Sequence, residues 1–235
     1  ICNMAFNNYG NSFQRTTPIV LNLIIINALA YFAQIAFGGS GPVNQVDDLF
    51  ALHHYKSDLF RPYQVVTHMF MHGGFFHLLF NMFALWMFGS NVERVWGPKR
   101  FLTFYLICGL GAAFAQMASY TVDFWQIDHL NLAAEEVIQY QDILRRSATV
   151  GASGAIMGVL AAFGYLFPNT ELILFPIPIP IKAKWAIMGI IALDVFGGVS
   201  KVPGDNIAHF AHVGGALIGL LLVIFWNKTN KKTFY

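Results

Sequence analysis

Apolar residues fall into six long stretches, 19–37, 67–88, 101–120, 152–167, 181–196 and 207–226, separated by polar breaks. Crossing a bilayer takes roughly 20 apolar residues. In lipid every backbone polar group must find a partner inside the protein, so these stretches predict helices. The pattern therefore predicts an all-α membrane protein: a six-transmembrane-helix bundle whose short fourth span, 152–167, starts inside the membrane. A single domain, 19–226, is flanked by a short N-terminal tail, 1–18, and a short basic C-terminal tail, 227–235. The first stretch lacks a small-residue cleavage site and is long enough to span, so it reads as a span and not as a cleavable signal peptide. Two polar connections are long. In 39–66 the patch Leu49, Phe50, Ala51 and Leu52 suits a segment lying along the membrane surface, and in 121–147 residues 133–144 have the spacing of an amphipathic helix.

Composition agrees with lipid as the main solvent. Of 235 residues 56% are hydrophobic and only 11% charged, with a mean hydropathy of +0.54, whereas soluble domains carry about 25% charged residues. A net charge of +2 without a basic run speaks against a nucleic-acid partner. Cys2 and Cys108 form neither a disulfide framework nor a metal cluster. Lys and Arg in the connections set orientation. With the N-terminus in the cytoplasm, nine of them (Arg15, Arg94, Lys99, Arg100, Lys182, Lys184, Lys228, Lys231, Lys232) lie inside and five (Lys56, Arg61, Arg145, Arg146, Lys201) outside. Six spans then return the C-terminus to the cytoplasm, and the expected location is a bacterial inner (plasma) membrane.

Polar side chains inside spans are costly and are kept for function. His77 and Asn81 lie four apart on one face of the second span, Ser153 sits in Gly151-Ala152-Ser153-Gly154, and His212 in Ala211-His212-Val213-Gly214-Gly215. At about 1.5 Å per residue, Ser153 and His212 each lie about 21 Å from the cytoplasmic ends of their spans, His77 about 18 Å and Asn81 about 12 Å. Gly154 and Gly158 on the fourth span, with Gly215 and Gly219 on the sixth, let two helix backbones approach closely. Ser153 then reads as a nucleophile with His212 as its general base. The Ser153 amide, at a helix start, joins the side chains of His77 and Asn81 in stabilising an oxyanion. No carboxylate matches this depth, since Asp194 falls near the outer end of the fifth span. The expectation is a Ser–His dyad, with no cofactor and no metal.

At these residues the chain resembles the rhomboid family of intramembrane serine proteases. The pieces come in the family's order: Arg61, then His72-Gly73-Gly74-Phe75-Phe76-His77-Leu78-Leu79-Phe80-Asn81, Glu93-Arg94, Gly151-Ala152-Ser153-Gly154, and Ala211-His212-Val213-Gly214-Gly215-Ala216-Leu217-Ile218-Gly219. The resemblance, to the bacterial-type six-span core, implies a serine endopeptidase that cleaves single-span transmembrane proteins within the lipid bilayer, at a water-filled cavity open to the outer side. It implies Ser153 and His212 as the catalytic pair, and His77 and Asn81 with the Ser153 amide as oxyanion donors. Phe80, with Phe196 opposite, falls at a substrate gate between the second and fifth spans, and 197–206 forms a cap. The family's aromatic one turn after the nucleophile is replaced by Met157. Two alternatives compete. A rhomboid-like non-catalytic membrane-protein binder would be expected to lack the nucleophile or the base, and both are present. A transporter or metal-binding membrane protein is suggested by eight histidines, with His68 and His72 four apart, but no acidic residue stands beside those two, and hydrogen bonding near the outer rim is the preferred reading.

Overall fold

The structure, a computed structural model, describes residues 17–38, 45–129, 133–173, 179–200 and 207–229. Helix α1 spans Pro18–Phe37, with proline at its first position, where a missing N–H costs nothing. A short α2 (Gln45–Phe50), strand β1 (Leu52–His53), α3 (Gln64–Thr67) and a 3₁₀ turn (His68–Phe70) follow. The next long helix is continuous over α4 (Phe75–Ala84), a π segment (Leu85–Gly89) and α5 (Ser90–Trp96). It stops at Gly97, whose φ of +78° suits glycine, and Pro98 opens α6 (Pro98–His129). Then come α7 (Ala134–Arg146), β2 (Ala148–Thr149) and α8 (Ser153–Leu166). A hairpin of β3 (Glu171–Ile173) and β4 (Pro180–Lys182) leads to α9 (Ala183–Ser200), and α10 (His209–Thr229) ends the described chain.

Five of these helices are long and apolar enough to cross a membrane: α1, the helix over Phe75–Trp96, α6, α9 and α10. The shorter α8 is as apolar and lies at the centre, with every residue from Gly154 to Gly164 buried. It packs on α10, α6, α9 and the π segment. This is an all-α membrane fold, as the hydropathy pattern predicts.

Three boundaries differ from the sequence reading. The second long helix starts at Phe75, not at 67, because Gly73 and Gly74 interrupt a run that hydropathy alone joins together. Helix α6 continues nine residues past 120. Helix α9 reaches Ser200, although Gly197 and Gly198 were expected to begin a cap; both are helical, and the remainder of that segment, 201–206, lies outside the described residues. The amphipathic helix expected at 133–144 is α7, which turns Val137, Gln141 and Leu144 inward and packs on α6.

The first connection is a folded platform and not a flat surface segment. Ala51 and Leu52 are fully buried, and β1 pairs antiparallel with β2, Leu52 against Thr149 and His53 against Ala148. Buried Gln64 organises it: Nε2 donates to the carbonyls of Asp48, Leu49 and Leu59, and Oε1 accepts from the amides of Arg61 and His53. From α1, Gln34 donates to Asp47 at 2.6 Å and to the His72 carbonyl, and accepts the His72 amide at 2.9 Å.

Candidate active site

Close backbone packing sets the site. A Cβ on Gly215 would collide with the Gly154 carbonyl, and one on Gly219 would lie 2.6 Å from the Gly158 Cα. The two Gly-xxx-Gly faces of α8 and α10 therefore meet, as their spacing suggests. This contact brings Ser153, the first residue of α8, beside His212, one turn into α10. Ser153 Oγ lies 2.8 Å from His212 Nε2.

The expectation that no carboxylate shares this depth is corrected. Asp194 Oδ1 lies 2.9 Å from His212 Nδ1 and 2.8 Å from His209 Nδ1. The misreading came from ending the fifth span at 196. Since α9 runs to Ser200, Asp194 sits about 6 Å deeper below the helix end than supposed. Histidines 209 and 212, three apart at the start of α10, face the same acid.

Gly151 precedes the nucleophile with φ +125°, a conformation that side chains oppose. A Cβ there would stand 3.0 Å from His77 Nε2 and 3.4 Å from Ser153 Oγ. The missing side chain thus leaves a space bounded by the hydroxyl and the imidazole. His77 Nδ1 accepts the Gly73 amide at 3.3 Å, which places the ring proton on Nε2, toward that space. Asn81, one turn on, is buried and donates from Nδ2 to the His77 carbonyl at 2.8 Å, leaving its second N–H for another acceptor. The first turn of α8 has no side-chain cap at Ala152, so its amides also face this region without one.

These groups line a cavity of about 990 Å³ that includes Ser153, His212, His77, Asn81, Phe80 and Met157. Phe80 is largely exposed at its edge, whereas Phe196 is exposed and is not among the lining residues. The cavity wall also holds Gln116, Tyr120 and Thr149, which sequence reasoning did not single out. The Tyr120 and Thr149 hydroxyls are 2.9 Å apart. His68 and His72 hydrogen-bond to the carbonyls of Gln64 and Phe70, in keeping with the hydrogen-bonding reading preferred for them. Arg61 likewise serves the backbone, donating to the carbonyls of Asp58 and Phe60.

Of the residues that sequence reasoning missed, Asp194 carried a readable signal: an acid inside an apolar stretch is itself a functional flag. Gln64 and Gly151 carried little, since their roles depend on contacts across the chain.

The arrangement can do defined chemistry. A hydroxyl held against an imidazole nitrogen is an activatable nucleophile. N–H donors around an adjacent empty space can stabilise negative charge on a carbonyl oxygen.

Comparison with known proteins points the same way. The family model described as the Rhomboid domain matches residues 59–228. Rhomboid protease AarA of Providencia stuartii is 29% identical over 216 residues, covering 88% of this chain and 71% of that protein. Rhomboid protein 1, mitochondrial, of Saccharomyces cerevisiae is 29% identical over 168 residues, 72% of this chain and 43% of its own length. Presenilin-associated rhomboid-like protein, mitochondrial, of Homo sapiens is 31% identical over 160 residues, 68% of this chain and 36% of its own. The chain thus spans less than half the length of these two mitochondrial proteins.

Proposed function

We propose, from the premise that this chain belongs to the rhomboid family, that it is an intramembrane serine endopeptidase. Its substrates are single-span transmembrane proteins, cut in or near the membrane segment. In this reading α8 joins the five long helices as the fourth of six spans in chain order and begins within the membrane, and residues 19–226 form one protease domain between two short tails. The observation that carries the reading is the 2.8 Å contact between Ser153 Oγ and His212 Nε2 at a cavity large enough for a peptide.

The reaction follows from the geometry. As Ser153 Oγ bonds to the substrate carbonyl carbon, its proton passes to His212 Nε2 and the carbonyl π pair moves onto oxygen. His77 Nε2–H, the free Asn81 N–H and the Ser153 amide stabilise that oxyanion. The C–N bond then breaks as His212 returns the proton to the leaving nitrogen, giving an acyl-enzyme. Water repeats the sequence: it gives a proton to His212, attacks the acyl carbon, and Ser153 leaves and recovers the proton. No cofactor or metal is needed at any step.

Water enters from the outer side, and the substrate helix enters sideways between the second and fifth spans, past Phe80 and Phe196. The nine-to-five bias of Lys and Arg supports cytoplasmic termini. A bacterial plasma membrane is supported by AarA, which this chain covers more fully than it does the mitochondrial proteins. A non-catalytic binder is the less favoured reading, because it gives no reason to hold a serine hydroxyl against a histidine nitrogen.

The test is to incubate detergent-purified protein with a single-span substrate and compare it with Ser153→Ala. The variant is expected to express normally and cleave nothing. Equal cleavage by both proteins would contradict the proposal.

A further inference from the structure

Asp194 is buried within the apolar α9, yet one of its carboxylate oxygens takes two histidine contacts from α10. The neighbouring backbone is shaped around this arrangement. A Cβ on Gly197 would lie 2.5 Å from the His209 ring, and one on Gly198 would lie 3.2 Å from the His209 Cβ. The two glycines therefore clear the space through which His209 reaches Asp194. Burying an acid and leaving two adjacent positions bare is a costly way merely to join two helices that already pack together.

We infer that Asp194 is a positioning residue for His212, and that His209 holds the Asp194 carboxylate in place. The inference rests on the proposed roles of Ser153 and His212. An ionised carboxylate only accepts hydrogen bonds, so both Nδ1 atoms donate to it. A neutral imidazole has one N–H. With that proton fixed on Nδ1 of His212, Nε2 presents its lone pair to the Ser153 hydroxyl, which is the tautomer a general base needs. When Nε2 takes the serine proton, the ring becomes an imidazolium whose Nδ1–H still faces the carboxylate. Asp194 stays ionised throughout and stabilises that charge. The proton moves only between Ser153, His212 and the leaving group. The reacting pair is thus held by a third residue on a different helix, and His209 supplies the second N–H that prevents the carboxylate from turning away. The same helix carries the proposed gate residue Phe196, so placement of the base depends on where α9 stands.

The inference is tested on the full chain in detergent, comparing wild type, Asp194→Asn and Ser153→Ala on one single-span substrate. Loss of the carboxylate costs about 10⁴-fold in kcat in a soluble Ser-His-Asp protease. For Asp194→Asn the expected result is a loss of tenfold or more in kcat, with KM changed by less than about twofold. A smaller loss in kcat, with Ser153→Ala inactive, overturns the role of Asp194 and leaves the Ser153 reading standing. Cleavage by Ser153→Ala would instead remove that underlying reading. A second measurement does not depend on the variant folding: nitrogen-15 spectra of histidine-labelled wild type, with His212→Ala used for assignment. They should show His212 protonated at Nδ1 and bare at Nε2. The opposite tautomer overturns the inference, and a purely structural Asp194 would give no reason for either result.

Discussion

Gly151 concentrates the residue-scale argument. Its φ of +125° and the space beside it, between His77 Nε2 and Ser153 Oγ, both require the absence of a side chain. Gly151→Ala would place a methyl group where the carbonyl oxygen of a substrate has to lie, in a backbone conformation that alanine resists. Turnover is therefore expected to fall by about 10²-fold or more, comparable to loss of an oxyanion donor. Steady-state kinetics check this, and a Gly151→Ala protein with near-wild-type kcat would show that the space is not the oxyanion site. That Ser153, His212, His77 and Asn81 come together at one cavity was legible in the sequence, because polar residues stand out in apolar stretches and helix rise gives their heights. Asp194 was visible but misplaced by four residues of helix. Rotation about the helix axis, which decides that Asp194 faces His212 and His209, is a property of packing and cannot be read from height.

At the scale of elements, the clearest device is Glu93. It is buried on α5, and its two carboxylate oxygens accept the backbone N–H groups of Ile19 and Val20 at 3.0 and 2.8 Å. Thr17 offers no side-chain cap, so the acid of one long helix closes the open N-terminus of another. Removing it in Glu93→Ala leaves two amides without this partner. The expected cost is about 2–3 kcal/mol of stability, from hydrogen bonds to a charged group. Thermal unfolding in detergent should show a lowered midpoint, while kcat of the folded fraction stays near wild type; an unchanged midpoint would remove the capping role. The glycine faces of α8 and α10 were legible as sequence because small residues one turn apart have one common use. The start of the second long helix was not, since Thr67 to His72 are apolar enough to extend the stretch, and hydropathy does not show the break that runs from the extended backbone at Met71 to Gly74. The reach of α6 to His129 was hidden for the opposite reason: its last turns mix Asp123, Gln126 and Asp128 with Phe124 and Trp125, so hydropathy falls while the helix continues.

For the whole molecule, the platform built from the first connection carries the segment that leads to the nucleophile. Thr149 pairs with Leu52, and the Gly151 amide donates to the His68 carbonyl at 2.9 Å. Histidines 54, 68 and 72 in this platform are buried, and burial lowers each ring to about 4 from an ordinary 6.5. The unfolded chain therefore binds protons between pH 6.5 and 4 while the folded chain does not. Their contribution to stability is complete above pH 6.5, is lost as pH falls toward 4, and changes little below that. Unfolding midpoints measured across this range should be flat above 6.5 and fall below it, and a midpoint independent of pH down to 4 would contradict the assignment. Beyond the hydrogen bonding of His68 and His72, little of this platform was legible in the sequence, because its buried polar contacts through Gln64 and Gln34 join residues far apart in the chain. The all-α membrane fold itself was legible, because lipid leaves the backbone so few alternatives. That this bundle brings His212 to Ser153 in order to activate it is the core of the proposed function. It is tested most directly by treating wild type and His212→Ala with a fluorophosphonate and locating the adduct by mass spectrometry. One adduct, on Ser153, is expected in wild type and none in the variant; labelling of the variant at the wild-type rate, or an adduct elsewhere in wild type, would contradict this role of His212.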